Sequence, residues 1–172
     1  RIADRRVDSF FLLCTLMTDP LYGEFRPISG YLMRFQELGL LPELVSNAGY
    51  ETATPVQFQA IPAVLEGRDV LAGAQTGTGK TAAFSLPILQ KIDLNSKEVQ
   101  AIILSPTREL AIQIARNIEE FSTHLKGFKV AAVYGGSDIN GQIRTLNKGV
   151  QIVVGTPGRT VDLIKRKKLR LG

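Results

Sequence analysis

The chain has 172 residues, of which 44% are hydrophobic and 22% charged, proportions that fit one globular domain with a buried core. Its single cysteine, Cys14, excludes a disulfide framework and a cysteine-based zinc site, and it fits a reducing compartment, so we expect a cytoplasmic protein. The net charge of +5 resides in residues 159–172, a basic segment that suits a phosphate-rich partner or the solvated face of a helix.

The first part of the chain differs from the rest. Residues 1–34 show little pattern and are interpreted as an N-terminal appendage of unknown order. Their longest apolar run, residues 10–17, is much shorter than the roughly 18 residues that a membrane span requires. Acidic residues also interrupt the basic start that an export signal needs. We therefore expect no membrane partner, and we assign residues 35–172 to one domain with two regions, 35–66 and 67–172.

From residue 35 onward, helix and strand signals alternate. Proline near the start predicts two short helices, 42–48 and 55–66, and continuous apolar runs predict buried strands. Further helices are predicted at 80–92, 107–124, 139–147 and from residue 157, and strands at 69–74, 101–104, 129–134 and 150–154. His124, at the end of a helix, is expected at the surface. The alternation predicts βαβ units and thus an α/β fold, with a mainly parallel sheet flanked by helices.

A glycine-rich loop lies between the predicted strand 69–74 and the predicted helix 80–92. Its residues are Ala74, Gln75, Thr76, Gly77, Thr78, Gly79, Lys80 and Thr81. Glycines let successive backbone N–H groups converge on phosphates, and the helix start behind them favours anions. Lys80 can place a charge on the β- and γ-phosphates, and the Thr81 hydroxyl can ligate Mg²⁺. Ala74 replaces the glycine that opens the strict pattern, so the loop predicts phosphate binding and leaves the reaction open.

Four further motifs accompany this phosphate loop. Residues 49–57 read Gly-Tyr-Glu-Thr-Ala-Thr-Pro-Val-Gln, residues 106–111 read Pro-Thr-Arg-Glu-Leu-Ala, residues 135–136 are Gly-Gly, and residues 156–159 read Thr-Pro-Gly-Arg. In this order, the motifs resemble the DEAD-box helicase family, and in particular the first RecA-like domain of its bacterial members. The resemblance covers residues 35–172 and implies a RecA-like P-loop domain of an ATP-dependent RNA helicase.

The resemblance implies a binding site for ATP. The family selects adenine with a glutamine, which corresponds here to Gln57, and an amide carries both the donor and the acceptor that pair with an adenine edge. Tyr50 and Thr54 belong to the same loop. Phe35 resembles the upstream aromatic residue of the family, although it stands nearer to this loop. The phosphate loop completes the implied site for ATP and Mg²⁺. Its last two residues, Lys80 and Thr81, are the implied catalytic residues.

The resemblance also implies contacts with the RNA backbone, which carry no sequence information. Arginine and hydroxyl side chains bind phosphate oxygens, and glycines admit close approach. Contacts with the 2′-hydroxyl would favour RNA over DNA. The implied RNA-binding residues are Pro106, Thr107, Arg108, Gly135, Gly136, Thr156, Pro157, Gly158 and Arg159.

The family motifs that complete catalysis do not occur in this chain. The Asp-Glu-Ala-Asp strand, the Ser-Ala-Thr strand and a second RecA-like domain that closes over ATP would follow Gly172. We therefore expect a sheet that is incomplete at its C-terminus, and a chain that binds ATP and RNA without hydrolysing ATP alone. Two alternatives stay open: another phosphate-loop enzyme, such as a small-molecule kinase, and a non-catalytic RNA-binding module.

Overall fold

The computed structural model describes residues 33–75 and 77–170. All but the last two residues of the predicted appendage therefore lie outside the described part, as does one residue of the phosphate loop, Thr76. Within the described residues, no helix is both long enough and apolar enough to cross a membrane.

Between residue 33 and the phosphate loop, the structure has three short helices: a 3-10 helix (Phe35–Glu37), α1 (Pro42–Ala48) and α2 (Pro55–Leu65). Proline begins both α-helices, where its missing N–H costs no intrahelical hydrogen bond. Thr54 caps α2, because its hydroxyl accepts from the Gln57 N–H at 3.4 Å. In return, the Gln57 side chain accepts from the Thr54 N–H at 3.0 Å, which completes a capping box. Local signals thus determine both predicted helices.

The described chain then alternates between helices and strands. The elements are α3 (Lys80–Lys91), β1 (Ala101–Leu104), α4 (Arg108–Phe121), β2 (Val130–Val133), α5 (Ile139–Asn147), β3 (Ile152–Gly155) and α6 (Pro157–Lys165). These elements confirm the predicted α/β alternation, with small differences at their ends. The largest difference is at α4, which ends at Phe121, three residues before the predicted end. The β3 strand is shifted by one or two residues, because its pairing register with β1 and β2 starts at Ile152.

The three strands form one parallel sheet in the order β1–β3–β2. Leu104, Gly155 and Val133 stand side by side at the carboxyl ends of their strands. The N–H groups of Ser105 and Thr156 continue this pairing, since they donate to the carbonyls of Gly155 and Val133 at 2.9 and 3.0 Å. The loops that follow all three strands therefore gather at one edge of the sheet, where ligands bind in open α/β folds.

Helices cover both faces of the sheet. Ile152 and Val154 belong to one buried cluster, with Ile118 of α4, whereas Val153 belongs to a second cluster, with Leu163 of α6. This division follows from the alternation of side chains along a strand. All four residues of β3 are buried, as expected of a central parallel strand. The predicted fold class is confirmed.

The segment 69–74, predicted as a strand, is not a strand in the structure. The three described strands pair with one another, and none of them pairs with this segment. Leu71 near its centre is 81% exposed. A short apolar run forms a strand only where a neighbouring strand supplies partners, and that condition is set by context rather than by the local pattern.

The predicted surface position of His124 is also wrong. The residue follows the end of α4 at Phe121 and is half-buried, with its Nε2 atom enclosed. Its Nδ1 atom lies 2.7 Å from the side-chain nitrogen of Asn47, which also donates to the Phe121 carbonyl at 3.2 Å. Packing of α1 against the end of α4 therefore covers this histidine.

Candidate functional site

The phosphate loop, residues 74–81, leads directly into α3. Gly77 and Gly79 have φ values of 80° and 78°, in the left-handed region that other residues rarely adopt. A Cβ placed on Gly77 would meet no atom within 4 Å, so open space lies beside this part of the backbone. Since α3 begins at Lys80, the positive end of the helix dipole is at the loop.

The ammonium group of Lys80 contacts the carbonyls of its own loop. Its Nζ atom donates to the carbonyl oxygens of Ala74 and Gln75, the latter at 2.7 Å. The Thr78 hydroxyl donates to the same Gln75 carbonyl at 2.8 Å. A phosphate oxygen carries a full negative charge and would attract the ammonium more strongly than a carbonyl dipole does. The loop can therefore exchange its internal partners for an anion.

Thr81 follows Lys80 in the first turn of α3 and is half-buried. Its hydroxyl is a hard oxygen ligand. Mg²⁺ sites often combine one or two such protein ligands with water and phosphate oxygens. Within the described residues, no group of three or more His, Cys, Asp or Glu side chains could hold a metal ion by itself. Thr81 thus places one hydroxyl oxygen at the start of α3.

The amide of Gln57 joins α2 to the phosphate loop. This side chain is fully buried. Its Oε1 atom accepts from the Thr54 N–H, and its Nε2 atom donates to the Gly79 carbonyl at 3.3 Å. The space is tight, because a Cβ on Gly79 would lie 2.3 Å from Nε2. The predicted adenine-reading amide therefore has both polar ends engaged within the protein, and pairing with a base would exchange these bonds.

Phe35 does not present a ring face to a nucleotide. It is fully buried, and its ring centroid lies 5.1 Å from that of Tyr50, at an angle of 42°. Phe35, which the resemblance implies at the ATP site, is therefore a core residue in this structure and would act on a nucleotide only through Tyr50. Tyr50 is only half-buried, so Phe35 supports Tyr50 from the core.

A cavity of about 480 Å³ lies between the phosphate loop and the carboxyl end of β1. Lys80 and Thr81 line it on one side, and Ser105 and Pro106 line it on the other. Two polar residues of α4 that the sequence analysis missed, Gln113 and Asn117, also line it. Their sequence signal was weak, because polar residues between the buried positions of an amphipathic helix are normally solvated. The cavity connects the phosphate loop to the edge of the sheet.

The structure brings the implied RNA-binding residues together. The loops after β1, β2 and β3 leave the same edge of the sheet, and we call this surface the loop edge. Most of its residues are exposed, and two are half-buried. The exposed members are Pro106, Thr107, Arg108, Gly135, Gly136, Pro157 and Gly158, and the half-buried members are Thr156 and Arg159. Three separate motifs thus form one continuous surface.

Arg108 begins α4 and lies over an aromatic ring. The Thr107 hydroxyl caps the helix by accepting from the Leu110 N–H at 3.2 Å. The guanidinium carbon of Arg108 is 5.2 Å from the centroid of the Tyr134 ring, within the range of a cation–π interaction. Tyr134, which the sequence analysis did not single out, therefore orients an exposed cation beside the Gly135–Gly136 loop.

Arg159 in the first turn of α6 is held by two acceptors. Its Nη1 atom donates to Gln142 Oε1 at 2.9 Å, and its Nη2 atom donates to the Ser137 carbonyl at 3.1 Å. Gln142 in turn donates to the Tyr134 carbonyl at 3.1 Å and to the Ser137 hydroxyl oxygen at 2.9 Å. No motif marks Gln142 in the sequence, and it lies on a helix with ordinary amphipathic spacing.

Asp138 is an acidic residue beside the loop edge. Its carboxylate caps α5 by accepting from the backbone N–H groups of Asn140 at 2.9 Å and Gly141 at 2.8 Å. These two bonds, aided by the charges of Arg144 and Arg159, lower the pKa of the Asp138 carboxyl below its ordinary value. The cap therefore stays ionised at neutral pH and begins α5 directly after the Gly135–Gly136 loop.

Gly155 permits the close packing of α6 at the loop edge. A Cβ at this position would lie 2.2 Å from the Thr160 hydroxyl oxygen and 2.8 Å from a methyl group of Val133. Only glycine fits where β3 passes so close to α6 and β2. The need for glycine here is not visible in the sequence, because it depends on neighbours that are distant along the chain.

The basic segment 159–170 is largely solvated. Arg166 pairs with Asp162 at 2.8 Å, and Lys165, Lys167 and Lys168 are exposed. Exposed side chains of one sign suit either a solvated helix face or a phosphate-rich partner. Both interpretations of this segment stand.

The chain is similar to a known protein family and to solved structures. The family model described as DEAD/DEAH box helicase matches residues 54–171. A crystal structure of a DEAD box protein from the hyperthermophile Methanococcus jannaschii superposes with a TM-score of 0.74 and 44% sequence identity. The match covers 81% of this chain and 39% of that protein, and it confirms the RecA-like fold that the motifs implied.

Curated relatives give the same family. The ATP-dependent RNA helicase CshA of Listeria monocytogenes is 53% identical over 143 residues, which cover 81% of this chain and 27% of the relative. The DEAD-box ATP-dependent RNA helicase CshA of Streptococcus pneumoniae is 53% identical over 142 residues, with the same two coverages. The chain thus spans about a quarter of the length of these curated relatives.

Proposed function

The chain belongs to the DEAD/DEAH box helicase family, and from this premise we propose that it forms the ATP- and RNA-binding part of an ATP-dependent RNA helicase. The observation that carries the proposal is the convergence of three motifs on the loop edge, next to the phosphate loop. The whole protein would be an RNA-stimulated ATPase that unwinds or remodels RNA.

The phosphate loop would bind the phosphates of ATP. Lys80 would leave the carbonyls of Ala74 and Gln75 and place its ammonium on the β- and γ-phosphates. Backbone N–H groups at the start of α3 would stabilise the same charge. Thr81 would supply one hydroxyl ligand to Mg²⁺, an ion that neutralises phosphate charge during phosphoryl transfer. Lys80 and Thr81 are thus the proposed catalytic residues of this chain.

Gln57 would recognise the adenine ring. Its amide donor now bonds to the Gly79 carbonyl, so pairing with a base would release that carbonyl and couple base recognition to the phosphate loop. Tyr50 and Thr54 would flank the base in the same loop. A guanine edge presents a different order of donors and acceptors, so this arrangement predicts a preference for ATP over GTP.

The loop edge would bind the RNA backbone. Arg108 and Arg159 supply guanidinium groups, and α6 presents its positive end at Pro157. A Cβ on Gly135 or Gly158 would meet no atom within 4 Å, so both positions leave room for a sugar–phosphate chain. Contacts of this kind would not depend on base sequence.

Two further features belong to the proposed whole protein. A second RecA-like domain would close over ATP and contribute arginines that stabilise the transition state. The cytoplasm is the proposed compartment, because the named relatives are bacterial RNA helicases and ATP and RNA meet there.

RNA-stimulated phosphate release by the full-length protein tests this proposal. Lys80→Ala should abolish hydrolysis, whereas Lys126→Ala, at an exposed lysine after α4, should leave it unchanged. ATP should be preferred over GTP, and Gln57→Ala should remove that preference. Equal use of both nucleotides with no response to RNA would instead favour another phosphate-loop enzyme. RNA binding without any nucleotide dependence would favour a non-catalytic module.

Gly135→Ala isolates the RNA-binding part of the proposal. Its Cβ would enter open space, and its φ is not in the left-handed region, so the fold should be retained. We expect weaker RNA stimulation of ATP hydrolysis at unchanged ATP affinity. Wild-type RNA stimulation in this variant would contradict close approach of RNA at this loop.

A further inference from the structure

One side chain links two of the three loops that form the loop edge. Gln142 lies in α5, is half-buried, and makes three hydrogen bonds with its amide. Its Oε1 atom accepts from Arg159, and its Nε2 atom donates to the Tyr134 carbonyl and the Ser137 hydroxyl. An amide group offers two donors, and both of them are used here. Gln142 therefore connects the first turn of α6 to the loop that follows β2.

We propose that Gln142 is a positioning residue for RNA binding, which holds Arg159 and the Gly135–Gly136 loop in one fixed arrangement. The inference rests on the proposed function, in which this edge binds the RNA backbone. Gln142 itself would touch no RNA and would act through Arg159 and the backbone of Tyr134.

The geometry of Arg159 supports this role. Its guanidinium group has five N–H donors, and the bonds to Gln142 and the Ser137 carbonyl use only two of them. The remaining donors are available to a phosphate. A long side chain that is already held in one conformation loses less entropy when it binds a ligand. Gln142 thus lowers the entropic cost of a phosphate contact made by Arg159.

The influence of Gln142 extends to Arg108. The carbonyl that Gln142 holds belongs to Tyr134, whose ring lies under the Arg108 guanidinium. Fixing this backbone position also fixes where the ring stands. The two arginines of the loop edge are therefore held by one residue, directly in the case of Arg159 and through Tyr134 in the case of Arg108.

Formation of α5 does not require Gln142. Asp138 caps the helix with two hydrogen bonds, and Leu146 anchors it in the second buried cluster. Ile139 and Ile143 pack against the same cluster. These contacts hold the helix on the sheet, so replacement of Gln142 should change the loop edge rather than the fold.

Gln142→Met in the full-length protein tests the proposal, because methionine has a similar length and no amide. Binding of a fluorescently labelled single-stranded RNA is measured over a range of salt concentrations with a non-hydrolysable ATP analogue. We expect about a tenfold loss of affinity, the size of one charge-assisted contact. The slope of log affinity against log salt should fall by about 0.7, the value for one phosphate contact. Asn140→Ala, an exposed substitution on α5, is the matched control.

A double variant that combines Gln142→Met with Arg159→Ala tests whether Gln142 acts by positioning Arg159. Because Gln142 acts mainly through Arg159 and in part through Tyr134, the double variant should lose clearly less RNA affinity than the two single losses combined, while ATP affinity stays at the wild-type value and the circular dichroism spectrum shows a retained fold. Additive losses, or wild-type RNA binding by Gln142→Met, would overturn the proposal. An Arg159→Ala variant that binds RNA normally would instead contradict the proposed RNA surface. If the methionine variant does not fold, Gln142→Ala gives the same comparison.

Discussion

Gly155 allows a quantitative test of the packing between β3 and α6, which places the Thr156–Arg159 motif. The perturbation is Gly155→Ala, whose Cβ would lie 2.2 Å from the Thr160 hydroxyl oxygen and 2.8 Å from a Val133 methyl group. Thr160 is 4% exposed and Val133 is fully buried, so neither side chain can move without disturbing its neighbours. The added methyl group must therefore push α6 away from the sheet.

The expected cost follows from two contributions. Overpacking of a filled core costs about 1–3 kcal/mol. Displacement of Thr160 also breaks the hydrogen bond from its hydroxyl to the Thr156 carbonyl, 2.9 Å long, which contributes about 1 kcal/mol. We expect Gly155→Ala to lower the local stability of β3 and α6 by about 2–4 kcal/mol, a large share of the ~5–15 kcal/mol that stabilises a typical domain.

Hydrogen–deuterium exchange of the peptides that contain β3 and α6, in the full-length protein, measures this local stability. Gly158→Ala is the control: its Cβ meets no atom within 4 Å, so exchange in α6 should be unchanged or slightly slower. Thr160→Ala removes the closest atom, so the double variant should lose less stability than the sum of the two single losses. Wild-type exchange in Gly155→Ala would refute the close approach.

Three further predictions concern the caps and the phosphate loop. Thr54→Ala should lower the stability of α2 by about 1 kcal/mol and Thr54→Ser should retain it, as measured by amide exchange in α2. Gly79→Ala should abolish ATP binding in calorimetry, because its Cβ would strike the Gln57 amide and its φ of 78° is strained for alanine. Asp138→Asn should lower stability at neutral pH, and this loss should shrink in acid. The pKa of Asp138 is lowered in the folded state, so its contribution is present above the ordinary carboxyl value near 3.8 and is lost as the pH falls through the folded-state value. The difference in unfolding midpoint between the variant and the wild type, followed from pH 7 downward, checks this.

The sequence by itself determined the elements that local signals specify. Proline at the start of α1 and α2 and the apolar run of β1 act over a few residues, and these predicted elements were confirmed. The phosphate loop could be located in the same way, because its glycine spacing and the following helix are local features. The order of the other motifs then gave the family.

Only the tertiary structure decided which segments pair and which side chains meet. The segment 69–74 has the apolar pattern of a strand, yet the described strands leave it unpaired, because hydrogen bonds between strands are not local. Phe35 has an aromatic ring that could stack on a base, but packing places this ring in the core. Gln142, Tyr134 and Gly155 have no motif, because their roles depend on partners brought near by parallel pairing of β1, β2 and β3 at one edge of the sheet.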